Sequence, residues 1–274
     1  ILRARGEQPG SGEHFVTRHA IQDEQTGMNV LLVEDHVVNQ KLALTWLHRW
    51  GHHVSLAVNG QEALDQLAQK RFDVILMDMM MPVMDGLEAT RRFRAQEVGH
   101  RTPIIAMTAN AMQGDRDLCV EAGMDDYISK PIKPEELQSL LLRHSRPHSG
   151  EVLASTEPQE ALIDTVSDFD YDRALAGADT EMVEIITDTF MEQWPVDLQK
   201  MIQGLSQKDL ASVGRVSHAL KGTLAMFGAM PAADLARQVE TDCADGVADT
   251  LSGLISQLTG EVKQLILALE RVKS

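Results

Sequence analysis

The sequence predicts two domains in series: a doubly wound α/β domain on a five-stranded parallel sheet, then an all-α four-helix bundle. Three observations carry this. From Asn29 to about His144, short apolar runs alternate five times with amphipathic stretches of helical length, the pattern of a parallel sheet wrapped by helices. From His144 to about Asp168 that periodicity is lost and Ser, Pro, Gly and Glu accumulate, which is linker chemistry. Beyond it strand signals vanish and only the helical period remains. A chain of 274 residues has room for two domains that each bury a core. The expected divisions are a connector over 1–27, the α/β domain over 28–145, the linker over 146–168 and the bundle over 169–274.

Taken in order, the first 27 residues are polar, rich in Gly, Arg and Glu, and have no sustained period. The chain opens on Ile1, so it is expected to be a piece of something longer. The strands are expected at Val30–Val33, His53–Ala57, Phe72–Met77, Pro103–Met107 and Asp126–Ser129, with helices near 38–50, 60–70, 86–98, 111–122 and 134–144. Near-continuous apolar composition puts the first, third and fourth strands inside the sheet and leaves the second and fifth at its edges. In the bundle, helices are expected over about 179–205, interrupted near Pro195, over 209–227 and over 231–243. A long final helix carries Leu251, Leu254, Ile255, Leu258, Val262, Leu265, Ile266 and Leu269 on one stripe. Short connections make the four helices antiparallel neighbours.

Composition narrows the function classes. A formal net charge of -16 repels nucleic acid, so no nucleic-acid partner is expected. Cys119 and Cys243 fit no metal or redox spacing and read as reduced thiols of a cytoplasmic protein. No apolar run reaches the roughly 18–20 residues that span a bilayer, so this chain is expected to make no membrane contact.

In open parallel sheets the functional crevice lies at the carboxyl ends of the strands. Here strand one ends in Glu34-Asp35, strand three in Asp78 and strand four in Thr108, and strand five runs into Lys130. Three converging carboxylates repel unless a cation neutralises them, and all-oxygen ligation suits Mg²⁺. A metal-bound carboxylate can attack an incoming phosphoryl group in line while the cation, Lys130 and the Thr108 hydroxyl hold its oxygens, giving an acyl phosphate. Met77, Met79, Met80, Met81 and Met84 alternate between faces, so packing explains them better than a soft-metal site.

The stretches VLLVEDHVVNQ, VILMDMMMPVMDG, PIIAMTANAM and YISKPIKP resemble the motifs of response-regulator receiver domains, whose fold is flavodoxin-like. The resemblance covers about Asn29 to His144. It implies that Asp78 is the phosphoacceptor, that Asp35 and Asp78 bind Mg²⁺ directly together with the Met80 carbonyl, and that Glu34 acts through water. It further implies that Thr108 and Tyr127 form a switch pair and that the Lys130–Pro131 bond is cis. Two residues depart from the pattern: His36 stands where Asn is usual, and Met80 where a polar residue is common. A thioether cannot orient a hydrolytic water, so slow loss of phosphate from Asp78 is expected.

In VGRVSHALKGTLAMFGA, Val213, Val216, Leu220, Leu224 and Phe227 recur at steps of three and four and define a buried stripe. His218 lies about 200° from Val216 and Leu220, so it is expected to face solvent. Lys221 and Arg215, one turn away on either side, are expected to meet a phosphoryl group on the imidazole, and Gly222 to leave room for a docking partner. The SHALKG pattern resembles histidine-containing phosphotransfer domains, in which this His carries phosphate on a four-helix bundle. Imidazole suits that role as a nucleophile near neutral pH.

No ATP-cradling glycine motif and no kinase catalytic helix are found, so the chain is not expected to phosphorylate itself from ATP and needs an upstream histidine kinase domain as donor. FVTRHAIQDEQ resembles the connector that precedes receivers in hybrid sensor histidine kinases. The expected function is therefore a two-component phosphorelay at the C-terminal end of such a kinase, from a kinase His to Asp78, to His218, and on to a downstream response regulator. A flexible linker of roughly 25 residues spans about 25–30 Å and gives a near-millimolar effective concentration, so transfer within the chain is feasible. The alternatives are a freestanding receiver-phosphotransfer relay or phosphate sink, and a phosphorylation-independent scaffold. An aspartyl-phosphate hydrolase of the haloacid-dehalogenase kind would need D-x-D after the first strand, where Glu34-Asp35 stands.

Overall fold

A computed structural model describes residues 27–108, 113–145 and 180–273. Residues 1–26 of the connector expected over 1–27, the linker over 146–168 and the expected start of the bundle over 169–179 lie outside these residues. The α/β domain runs β1 (Asn29–Val33), α1 (Val37–Arg49), β2 (His53–Ala57), α2 (Gly60–Leu67), β3 (Val74–Asp78), α3 (Gly86–Gln96), β4 (Ile104–Thr108), α4 (Gln113–Ala122), β5 (Asp126–Ser129) and α5 (Pro134–His144). All strand pairings are parallel, in the order β2-β1-β3-β4-β5. The strands expected at the edges are at the edges. β3 and β4 are buried at every position, because helices cover both faces. One face packs Val30, Leu32, Leu76 and Ile105 against Ala43 and Leu47 of α1 and Leu137, Leu140 and Leu141 of α5. The other packs Leu31, Val33, Ile75 and Met77 against Ala63 of α2 and Ala89 of α3.

The helices begin where local chemistry satisfies their free N–H groups. Asn59 accepts the Glu62 N–H at α2, Asp85 accepts the Glu88 N–H at α3, and Pro134 opens α5. Gly86 follows the loop after β3, where an added Cβ would sit 2.1 Å from the Asp78 carbonyl oxygen, so only glycine lets α3 begin this close to the strand end.

The second domain comprises α6 (Thr180–Gln207), α7 (Leu210–Met226), α8 (Met230–Ala244) and α9 (Leu251–Lys273). The interruption expected at Pro195 does not occur: α6 is continuous through it. Phe190 and Trp194 before the proline and Met201 after it all enter one core, and that packing outweighs the lost backbone hydrogen bond. The α9 stripe faces inward as expected, with Leu251, Leu258, Val262 and Leu269 buried.

The two domains share a core. Val38, Leu42 and Trp46 on α1 join the apolar cluster of the bundle, while Ala43 and Leu47 on the same helix face the sheet. Trp50 packs against both clusters. Among the described residues, no helix is long and apolar enough to cross a membrane.

Candidate functional site

The parallel register brings the strand ends level. Val33 pairs with Met77, Asp78 with Met107 and Thr108 with Ser129, so Glu34, Asp35, Asp78, Thr108 and Lys130 lie around one mouth. Lys130 reaches across it, with Nζ 2.8 Å from Asp78 Oδ2 and 2.7 Å from Glu34 Oε2. The other Glu34 oxygen accepts the His36 N–H at 3.2 Å and the Asn39 side-chain amide at 3.0 Å. The Met80 N–H donates to Asp78 Oδ1 at 3.4 Å, and its side chain is exposed. Glu34, Asp35 and Asp78 each present an oxygen within 4.8 Å of the others.

Burial and the neighbouring Glu34 charge push the Asp78 carboxyl up to about 7, against the pull of Lys130 and, from the bundle, of His218. Burial and Glu34 raise Asp35 as well. Burial works against the Glu34 charge too, but Lys130 and Asn39 outweigh it and hold that carboxylate below its ordinary range. Burial would lower Lys130, yet Asp78 and Glu34 hold it above the ordinary lysine range. One ammonium thus faces three carboxylates. Three clustered hard oxygen donors with excess negative charge fit a divalent cation such as Mg²⁺.

Thr108 is buried at the end of β4. Tyr127, half-buried on β5, packs on the second face of the sheet, and the Arg116 guanidinium stands 5.6 Å from its ring centroid. The Lys130–Pro131 bond is cis, as the resemblance implies.

His218 lies on α7, off the stripe of Val213, Leu220, Leu224 and Phe227, as its spacing requires. It does not face solvent. The residue is 8% exposed, because the α/β domain covers this face of the bundle. Thr223 Oγ1 donates to Asn39 Oδ1 at 3.4 Å, and a Cβ on Gly222 would lie 3.8 Å from Lys130 Cβ. The room expected at Gly222 is therefore occupied by the chain's own first domain. Lys221 does not point at the imidazole's free edge: its Nζ is 2.6 Å from Glu240 Oε2 on α8. Arg215 is half-buried one turn back.

The other Glu240 oxygen is 2.6 Å from His218 Nδ1. Burial works against the Glu240 charge, but its contacts with His218 and Lys221 hold the carboxyl below its ordinary range. A carboxylate only accepts, so Nδ1 carries a proton, which assigns the lone pair of the neutral tautomer to Nε2. Nε2 is buried and has no hydrogen-bond partner.

Residues 30–142 match the response regulator receiver domain and residues 186–273 the Hpt domain. The chain is a receiver domain followed by an Hpt domain. Over 228 residues it is 30% identical to the signal transduction histidine-protein kinase BarA of Shigella flexneri and of Escherichia coli K12, covering 82% of this chain and 25% of those proteins. It thus spans about a quarter of the length of these curated relatives. Hybrid signal transduction histidine kinase I of Dictyostelium discoideum is 44% identical over 120 residues, 41% of this chain and 7% of that protein. Among solved structures, the receiver domain of sensor histidine kinase PA1611 from Pseudomonas aeruginosa PAO1, with magnesium in its active site cleft, is 50% identical. It matches with a TM-score of 0.41 over 43% of this chain and 98% of that one. The Saccharomyces cerevisiae complex of phosphotransfer protein Ypd1 with the Ssk1 receiver matches at 29% identity and TM-score 0.41, over 43% and 89%. The chain is a two-component phosphorelay protein.

Within the receiver, the structure brings together the carboxylates and the lysine singled out in the sequence. Within the Hpt domain, sequence reasoning missed Glu240, which lies 22 residues from His218. Its signal was the α8 stripe: Ala232, Ala233, Ala236 and Val239 are buried, so the next residue falls on the flank beside α7.

Proposed function

We propose that this chain moves a phosphoryl group between Asp78 and His218 of the same molecule. The observation that carries the reading is His218 Nε2, buried without a hydrogen-bond partner on the helix face that covers the Asp78 pocket. A kinase histidine delivers the group to an Asp78 oxygen, forming an acyl phosphate. His218 Nε2 then attacks phosphorus in line: the N–P bond forms, the bond to the Asp78 oxygen breaks, and Asp78 returns as a carboxylate. Glu240 holds the Nδ1 proton throughout, so no proton needs to leave the ring.

Asp35, Asp78 and the Met80 carbonyl would hold Mg²⁺ directly and Glu34 through water, in keeping with the engagement of both Glu34 oxygens by His36, Asn39 and Lys130. When bound, the cation supplies charge neutralisation for the phosphoryl oxygens. Lys130 holds a phosphoryl oxygen, and Thr108 with Tyr127 forms the switch pair. On the Hpt side, Arg215 supplies positive potential around the phosphoimidazole, and Lys221 offsets the charge of the Glu240 carboxylate that it shares with His218.

The parent is read as a cytoplasmic-facing hybrid sensor histidine kinase, with a histidine kinase domain upstream and a separate response regulator receiver downstream. The relative BarA is a histidine kinase, and this chain aligns with a quarter of it. To test the reading, label from acetyl phosphate and Mg²⁺ is followed into wild type, Asp78→Asn and His218→Gln. Wild type should carry label on both residues, His218→Gln on Asp78 alone, and Asp78→Asn on neither. Label on His218 in Asp78→Asn overturns the order.

A further inference from the structure

We infer that His36 and Asp197 are a matched pair that seats this Hpt domain on its own receiver and selects receivers offering a hydrogen-bond donor just after the paired acidic residues that follow β1. The inference rests on the proposed transfer between Asp78 and His218.

His36 occupies the N-cap of α1 yet makes no side-chain bond to that helix. Asn59, Asp85 and Asp209 all cap their own helices with a side-chain oxygen, the usual use of the position. The His36 ring turns outward instead, and Nε2 stands 3.0 Å from Asp197 Oδ2 on α6. Both side chains are closed off from solvent, at 7% and 3% exposure. The other Asp197 oxygen accepts the Gln193 amide at 2.8 Å, and Lys200 Nζ lies 4.0 Å away at the surface. Without His36, therefore, Oδ2 is a buried carboxylate oxygen lacking its close donor.

This makes the pair selective. A receiver with an aliphatic side chain at this place would leave Asp197 Oδ2 buried without its close donor, and one with an acidic side chain would oppose carboxylate to carboxylate. The contact sits beside the reaction and not within it: the His36 backbone N–H bonds Glu34, while the ring faces the other domain. Val38, Leu42 and Trp46 supply the apolar area of the same seam, and a uniform apolar area has little power to choose a partner. The polar pair supplies that choice.

The test uses the full chain. His218 is loaded with phosphoramidate in the presence of a chelator, excess donor is removed, and saturating Mg²⁺ starts the return transfer to Asp78, followed by rapid quench. His36→Ala and Asp197→Ala should each slow the transfer about tenfold or more. The double variant should be no slower than the slower single one, because removing both partners leaves no buried charge unpaired. His36→Asp should be slowest, and adding Asp197→Asn should recover most of the loss. Asp197→Ala is remote from the receiver pocket, so acetyl phosphate should label its Asp78 as in wild type, and this variant carries the test if His36→Ala disturbs the pocket. Single variants at the wild-type rate, or effects that simply multiply, overturn the pairing while leaving the relay intact. Absence of return transfer in wild type overturns the relay, and the pairing with it.

Discussion

Removing the Glu240 carboxylate should slow transfer between Asp78 and His218 and change the protonation pattern of the imidazole. Its two oxygens each take a 2.6 Å bond, one from His218 Nδ1 and one from Lys221 Nζ, at a site where both donors are almost closed off from solvent. A hydrogen bond to a charged group contributes about 1.5–3 kcal/mol. If the Nδ1 bond is what fixes the ring, Glu240→Ala loses that much orientation, which at about 1.4 kcal/mol per tenfold in rate slows transfer roughly 10- to 150-fold. Glu240→Gln keeps a carbonyl for Nδ1–H but turns an amide toward Lys221, so its loss should be smaller. The rate is read by rapid quench, and the tautomer by nitrogen NMR of the His218 ring, which a merely structural role would leave unmoved. Wild type should show the proton on Nδ1; Glu240→Ala should show a tautomer mixture. A Glu240→Ala chain that transfers at the wild-type rate with its proton still on Nδ1 would refute the reasoning.

Four further outcomes are expected. Because burial and Glu34 hold Asp78 up at about 7, a divalent cation must displace a proton there at acid pH. Affinity for Mg²⁺ measured by calorimetry should therefore fall up to about tenfold per pH unit below 7 and level off above it, and a flat profile from pH 6 to 8 would contradict the shift. Leu42→Ala opens a cavity at the seam between the domains and should cost about 2–5 kcal/mol in denaturant unfolding of the full chain; a loss under about 0.5 would mean the seam is solvated. Burial opposes the Asp126 charge, but His144, the Tyr127 N–H and Arg143 hold this carboxyl below its ordinary value of 3.8. A lowered native value stabilises the fold above 3.8 and is lost as pH falls through it, so Asp126→Asn should melt lower than wild type at pH 7, with the gap closing toward pH 3. Met80→Asn places an amide able to orient water beside Asp78 and should hasten loss of its phosphate up to roughly tenfold, the worth of one hydrogen bond.

The receiver was legible because each of its devices is local. Apolar runs told inner strands from edge strands, and residue types at the strand ends identified the pocket before any distance was known. The continuity of α6 through Pro195 is not legible for the opposite reason: a proline's cost is local, whereas Phe190, Trp194 and Met201 offset it through contacts that only the assembled bundle makes. The His218 stripe was read correctly and its consequence was not, since a stripe reports which face leaves its own bundle and says nothing of what covers that face. The missing signal lay in α1. Val38, Leu42 and Trp46 recur every four residues, and so do Ala43 and Leu47 on the neighbouring face. A helix that serves one sheet needs only one of these rows; the other had to be covered by something else.

That second row also bears on how a relay of this form can run. Asp78 is 2% exposed and His218 8% with the two domains together. In the proposed relay, an arriving phosphohistidine must reach the mouth that α7 covers, and a departing phosphoryl group must leave from the helix face that the receiver covers. The seated arrangement therefore serves the internal step alone, and both external steps require it to open. A seam built only from Val38, Leu42 and Trp46 would gain strength simply by gaining apolar area, slowing exchange with every outside partner. A buried polar pair such as His36 and Asp197 adds little net strength, because both groups give up water to meet, yet it penalises a mismatched partner heavily. It supplies choice without tight binding, which is what a domain that must seat, transfer and release in turn requires.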